Sequence, residues 1–415
     1  MMPILLFITA AFGLVTWMDP RKGLLLLVAL LPSYLLRGEL FGIPTTLLEL
    51  MVIVFVIIWV IKRRPKLKAL VPERAHLLPI ALILMAATLS LFIAPDLSSA
   101  AGVWKAYFIE PILLFLIVRY ELSRSSITAD DLFKALGLTA LVLSVVAIVQ
   151  WITGAGIPIP WDIEKRVTSI FDYPNALGLF LGPVVIIAIT QIRRPSSLSI
   201  RKLEKWFWLS VTLLSSIAIL LAQSEAAIVA VLATVAVDGL LKRRTFYTTA
   251  VVISVAILFV LISPWRGLVM DKLTLQDYSG GVRLTGWSET IDLLQDKWLL
   301  GTGLSGYPAA LAPYHQAKHL ELFQYPHNIV LNFWTELGLL GLVAIMLLAW
   351  TVLSSFKHIS FSLSNTRWVA LLALMEILIH GLVDVPYFKN DLSILTWLLV
   401  AIALYAVHST RSKKS

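Results

Sequence analysis

The chain has 415 residues, 59% of them apolar and only 14% charged, with a mean hydropathy of +0.86. Soluble domains carry about 25% charged residues, so this composition excludes a soluble globular protein. The chain contains no cysteine, which excludes a disulfide framework and thiol chemistry, and its net charge of +9 is distributed as an orientation signal rather than a nucleic-acid footprint.

Crossing a bilayer as a helix takes about 17–25 apolar residues. Apolar runs occur at 3–18, 23–36, 45–61, 77–92, 103–120, 132–152, 176–192, 206–222, 226–241, 245–263, 329–354, 368–383 and 392–407. They predict an all-α polytopic membrane protein of about 12–13 transmembrane helices, the first two short enough to form a shallow or re-entrant hairpin. The first run lacks a basic n-region and an A-x-A-like site, so it does not read as a cleaved signal peptide. No repeat or low-complexity tract interrupts the pattern, and residues 1–415 read as a single integral membrane domain.

Basic residues gather in alternate loops. Lys62, Arg63, Arg64, Lys66, Lys68 and Arg74 fill one, and Arg193, Arg194, Arg201, Lys202 and Lys205 another. Lys242, Arg243 and Arg244 follow, then Arg411, Lys413 and Lys414 at the tail. The positive-inside rule puts these loops and the C-terminus in the cytoplasm. The opposite, exterior face receives the loops at 37–45, 94–102, 153–175, 223–225 and 384–391, and the one large insertion at 264–327. Within the insertion Leu284, Trp287, Ile291 and Leu294 recur at helical spacing, with Ser288, Glu289, Asp292 and Asp296 on the polar side. This predicts an amphipathic helix on the membrane surface or over a cavity. It leads into Gly301, Gly303 and Gly306, which allow tight turns.

Ionisable groups inside apolar helices are costly and point to function. Glu110 lies mid-run beside Pro111, with Lys105 nearer the exterior, and reads either as an ion pair or kink or as a functional group. Glu376, His380 and Asp384 recur every four residues and predict one polar helix face, lining a hydrated cavity or a packed network. Exterior basic residues are few: Arg37, Lys105, Lys165, Arg166, Arg266, Lys272, Arg283, Lys297, Lys318 and Lys389. Arg166 precedes Phe171, Pro174 and Asn175, and Arg283 follows Gly280 and Gly281. A guanidinium recognises phosphate oxygens in bidentate fashion, which suits a lipid-linked pyrophosphate; each arginine alone reads as an ordinary headgroup contact. Asp162 and Glu164 are the one close acidic pair on this face and make a poor metal site, so no metal is expected.

His327 and Asn328 open the run 329–354 where water meets lipid. Asn328 reads as a helix cap; His327 reads as a cap residue or as a base that titrates near neutrality. Glu336 falls half a turn out of phase with His327, and Gly338 and Gly341 permit close packing.

The pattern His327-Asn328-x-x-Leu331, then Glu336-x-Gly338-x-x-Gly341, resembles the O-antigen ligase/polymerase superfamily of bacterial membrane glycosyltransferases. It follows a large loop carrying Arg283-x-x-x-Trp287 and Gly301-x-Gly303, and Arg166 with Phe171, Pro174 and Asn175 is similar to the family's upstream segment. Two positions depart from the pattern: Ser224-Glu225-Ala226 replaces Ser-Arg-Gly, and Trp298 stands where a proline is usual. The resemblance implies a GT-C-like fold in the bacterial cytoplasmic (inner) membrane, with its active site at the periplasmic face. It implies a glycan donor on undecaprenyl pyrophosphate, a glycan or lipid-linked acceptor, metal-independent inverting transfer, and no cofactor. By the same resemblance His327, Arg283 and Arg166 are catalytic. Asn328, Asn175, Asp384, His380 and Lys389 contact substrate, and Glu336, Gly338 and Gly341 are scaffold. Within the superfamily a ligase, a polymerase and a protein-directed transferase remain open. A secondary transporter is the reading from another class, against which stands the lack of two related halves.

Overall fold

The computed structural model describes residues 2–40, 42–194, 202–243, 245–262, 266–317, 319–355, 361–362 and 365–405. Arg201, Arg244, Lys318, Arg411, Lys413 and Lys414 of the basic pattern, the residues 263–265 that lead into the insertion, and the last two residues of the run 392–407 lie outside the described residues.

Every predicted apolar run is helical. In chain order the helices are α1 (Met2–Met18), α2 (Pro20–Ala29), α3 (Leu47–Arg63), α4 (Arg74–Ile93), α5 (Leu97–Ser123), α6 (Ala129–Thr153) and α7 (Pro174–Ile192). There follow α8 (Lys202–Leu221), α9 (Glu225–Leu241), α10 (Phe246–Ile262), the insertion helix α11 (Tyr278–Lys297), α12 (Ile329–Ser354), α13 (Thr366–His380) and α14 (Asn390–Leu404). The all-α polytopic class is therefore observed. On length and composition, six helices among the described residues can cross a membrane: α4, α5, α6, α7, α8 and α12. The other apolar helices have 10–17 residues, so the expected 12–13 crossings are matched in number of helices but not in length. Local chemistry shortens them: α2 passes into a 3-10 turn at Leu31–Leu35 containing Pro32, and α13 stops at His380 before Gly381.

Capping residues set several boundaries. Thr128 opens α6 with a capping box: its hydroxyl accepts from the Asp131 amide (3.2 Å) while Asp131 accepts from the Thr128 amide (3.0 Å). Asn328 and Asn365 cap α12 and α13. Burial then ranks the helices. The apolar window of α7 is 83% buried, that of α8 only 28%. α7 packs against α6, α8, α9 and α13, and α14 against α5 and α13, so α7, α13 and α14 form the centre. Close approach there uses Gly182 of α7, where a Cβ would come within 2.1 Å of the Glu376 carboxylate on α13. The outward faces keep side chains such as Leu209, Leu213 and Leu220 exposed, where lipid tails solvate them as well as protein would.

The starts of α3, α5, α7, α12 and α14 and the end of α13 meet at one end of the bundle, together with α11. The loop expected at 37–45 is an antiparallel hairpin, Arg37–Leu40 with Ile43–Thr46, in register Arg37↔Thr46. Lys105 pairs with Glu49 rather than with Glu110, which instead faces Asn390 at 3.5 Å. The insertion helix is present, with Leu294 buried and Ser288 and Asp296 exposed as expected, but its buried face is rotated so that Glu289 turns inward. Gly286, Glu289, Thr290, Leu293 and Leu294 are buried, while Leu284 and Ile291 are exposed. The reason is a small core of its own, in which Leu293 packs with Tyr307 and Leu311. Glu289 serves this core: it accepts from the Gln316 and Ala317 amides (2.8 and 3.1 Å) and meets His315 Nδ1 at 2.9 Å. Burial opposes its charge, but these partners outweigh burial and hold the carboxyl below its ordinary range.

Candidate active site

The loop 381–389 between α13 and α14 is the hub of the site. His327 sits just before the Asn328 cap of α12 with φ +49, a conformation rare outside glycine. Four hydrogen bonds hold it there. The Asn328 Oδ1 accepts from the Val330 and Leu331 amides (3.0 and 3.1 Å), its Nδ2 donates to the Leu382 carbonyl (2.9 Å), and the Ile329 amide donates to the Gly381 carbonyl (2.7 Å). The His327 ring is then fixed edge-on between Phe323 and Tyr325, with centroids 5.4 and 4.8 Å away.

His327 Nδ1 lies 3.5 Å from Asp384 Oδ1, an ion-pair separation too long for a tight hydrogen bond. Asp384 is 1% exposed. It accepts from Asn175 Nδ2 (3.2 Å) and from the Val385 amide (2.8 Å). Burial pushes its carboxyl up, but His327, then His380 and the Val385 amide, outweigh burial and hold it down at about 2. Asp384 is thus a permanent anion behind a half-buried imidazole.

Arg283 reaches the same hub from α11: its Nε donates to the Val383 carbonyl (3.0 Å) and its Nη1 to Ser279 Oγ (3.2 Å). Lys389 stands over the Tyr173 ring at 4.2 Å and the Phe171 ring at 5.8 Å. Burial lowers its ammonium pKa against the pull of Asp391, Asp384 and Asp172. Arg166 belongs to the neighbouring loop. Its Nε donates to the Ala222 carbonyl (3.2 Å), its guanidinium lies 5.0 Å from the Trp161 ring, and burial lowers its pKa slightly against Glu164 and Glu225. Among the described residues no contact joins Arg166 to His327; the link runs through the loop that also carries Phe171 and Tyr173.

Other placements differ from expectation. Asn328 uses both ends of its side chain as cap and tether, so it positions His327. Asp384 lies past the end of α13 and not on its face, because the helix stops at His380. Glu376 and His380 are 0% and 1% exposed and 3.4 Å apart, enclosed against α7 rather than lining an open cavity. Glu336 accepts from the Ser305 amide (2.6 Å). Gly338 breaks α12 with φ +66, and the backbone of Leu299 and Leu300 packs where a Cβ would stand, 2.4 Å from the Leu299 oxygen. Gly338 is therefore a kink that receives the glycine loop, and a Cβ on Gly341 would meet Leu337 of its own helix, not a neighbouring one.

Sequence reasoning missed three contributors. The Tyr325 and Tyr173 hydroxyls share a hydrogen bond of 3.0 Å, and burial raises both phenol pKa values, so both stay neutral donors. Gln150, a lone amide near the end of an apolar run, clamps the Arg166 loop. Its Nε2 donates to the Gly156 and Ser169 carbonyls (2.7 Å each), and its Oε1 accepts from the Thr168 and Ser169 amides (3.1 and 2.7 Å). Its isolation among apolar neighbours was the available signal.

Residues 210–346 match the family model described as O-antigen ligase. Over this segment the chain is similar to the O-antigen ligase family. The segment spans about a third of the chain, from within α8 to within α12, and includes Arg283, His327, Asn328, Glu336, Gly338 and Gly341. Arg166, Asn175, Asp384 and Lys389 lie outside the O-antigen ligase match, and the fold brings Asn175 and Asp384 to His327. No curated protein matches the chain. The O-antigen ligase match and the apolar helices together support a multi-pass membrane enzyme of ligase/polymerase glycosyltransferase type acting on lipid-linked glycans.

Proposed function

We propose that this chain is an O-antigen ligase-type transferase. It moves a glycan from undecaprenyl pyrophosphate to an acceptor hydroxyl at the periplasmic face of the bacterial inner membrane. The observation that carries the reading is His327, fixed at the mouth of α12 against the buried Asp384 anion and within a hub shared with Arg283.

With Nδ1 turned to Asp384, Nε2 is the nitrogen left to accept the acceptor's proton. The hydroxyl oxygen then attacks the anomeric carbon from the face opposite the leaving group. A new C–O bond forms, the anomeric C–O bond to phosphate breaks, and undecaprenyl pyrophosphate leaves with the electron pair, giving inversion. Asp384 stabilises the imidazolium that results. Arg283 and Arg166 supply positive charge where the leaving pyrophosphate develops negative charge, the kind of fixed electrostatic aid that is worth most in a dry site. Lys389 and Asn175 contact the sugar. His380 acts through Asp384 as a positioning residue.

The test uses the purified chain in liposomes with an undecaprenyl-pyrophosphate glycan and a lipid A-core acceptor. Appearance of glycosylated lipid A-core supports the ligase. Growth of the glycan on its carrier instead makes the enzyme a polymerase, and solute flux without either product overturns the transferase reading.

A further inference from the structure

At the end of the bundle away from His327, α3 runs out in Lys62, Arg63 and Arg64, and α5 ends beside Arg124. A cavity of about 420 Å³ opens there, walled by Lys62, Arg63, Arg64, Lys66, Arg124 and Tyr120. No carboxylate lines the cavity, and of its five cations Arg63 is paired with Glu121 behind the wall. Glu121 is 3% exposed and takes both Arg63 Nε and Nη2 (2.9 Å each), the Trp59 indole N–H (2.7 Å) and the Ser126 hydroxyl. Rings hold two of the remaining cations: Lys62 sits 4.2 Å from the Trp17 centroid, and Arg124 5.5 Å from that of Tyr120. Five cations and one carboxylate leave four positive charges in excess around a space large enough for a phosphodiester.

The surroundings are apolar. Leu67, which opens the short helix Leu67–Leu70, and Val71, which follows it, are 82% and 55% exposed, and Ile61 on α3 is 49% exposed. A free phosphate would use the guanidinium forks and nothing else, whereas a phospholipid would also lay its chains along these side chains. We propose that this cavity binds the phosphate of an anionic glycerophospholipid headgroup. Arginine forks meet the phosphate oxygens, and the acyl chains lie along Ile61, Leu67 and Val71. None of these residues belongs to the proposed transferase site, so the site and the transfer reaction fail or stand separately.

The test is native mass spectrometry and thermal unfolding of the purified full chain in detergent micelles, titrated with phosphatidylglycerol, phosphatidylcholine or sodium phosphate. Saturable binding and a raised Tm are expected with phosphatidylglycerol only. Lys62→Gln/Arg64→Gln/Lys66→Gln/Arg124→Gln should weaken that binding on the order of a hundredfold, while the distant Lys202→Gln/Lys205→Gln leaves it unchanged. If the quadruple variant does not fold, Lys66→Gln/Arg124→Gln, which spares the Lys62–Trp17 contact and the Arg64 cap, should still lose about tenfold. Equal binding of phosphatidylglycerol and phosphatidylcholine, equal affinity in wild type and variants, or the same Tm shift with sodium phosphate alone would each overturn the proposal.

Discussion

The two ends of the helix bundle hold certain of their arginines in different ways. At the end away from His327, three arginines meet carboxylates: Arg63 meets Glu121, Arg194 meets Asp130, and Arg193 shares with Lys242 the Asp238 that also accepts from the Trp368 indole. At the His327 end Arg283 and Arg166 hydrogen-bond to carbonyls, Arg283 to Val383 and Arg166 to Ala222, although Lys105 there meets Glu49. A carboxylate neutralises the guanidinium it orients, whereas a carbonyl orients it and leaves its charge for something else. The first arrangement builds structure; the second keeps charge ready for an anionic substrate.

His327→Ala should cut glycan transfer most, by about 10²–10⁴-fold as expected for a lost general base, with only a small fall in Tm from the loss of the Asp384 contact. Proteoliposome transfer assays beside thermal unfolding check this, and a large fall in Tm would move His327 to the structural class. Arg283→Lys keeps the charge but loses the planar fork. It should retain only part of the activity, whereas Arg283→Gln falls about 10²–10³-fold. Equal activity in the two variants would show that fork geometry is irrelevant.

The structural end should answer in stability. Asp238→Ala strands two cations and an indole N–H and should cost roughly 3 kcal/mol, at the low end for a broken buried pair because Arg193 is 35% exposed. Its transfer rate per folded molecule should be unchanged. Gly338→Ala combines a positive φ with overlap against the Leu299 oxygen and should cost about 1–3 kcal/mol. A neutral result in denaturation would show that the glycine loop can move aside.

The smallest effect concerns pH. The Asp384 carboxyl lies at about 2 in the fold, below an ordinary aspartate near 3.9. Its contribution is therefore complete above about pH 4 and is lost as pH falls toward about 2. Hydrogen exchange in loop 381–389 should accelerate across that window, and Asp384→Asn should flatten the dependence.

Helices were legible in the sequence because lipid-facing and core-facing positions are both apolar, so each run declares itself without its neighbours. The block from His327 to Gly341 was legible for a related reason: a polar pair at the start of an apolar helix and a carboxylate with glycines inside it go against the local grain. Local pattern could not orient α11, since which face is buried depended on Tyr307 and Leu311 further along the chain. Nor could it separate Asp384 from the Glu376–His380 face, since that depended on where α13 stops. Composition and periodicity by themselves determined the membrane class, the helices and the residues worth watching. Only the tertiary structure decided that Asn175, Arg283 and His327 converge on the loop that carries Asp384, because contacts between residues as distant as Asn175 and Asp384 follow from how α7 and α13 pack.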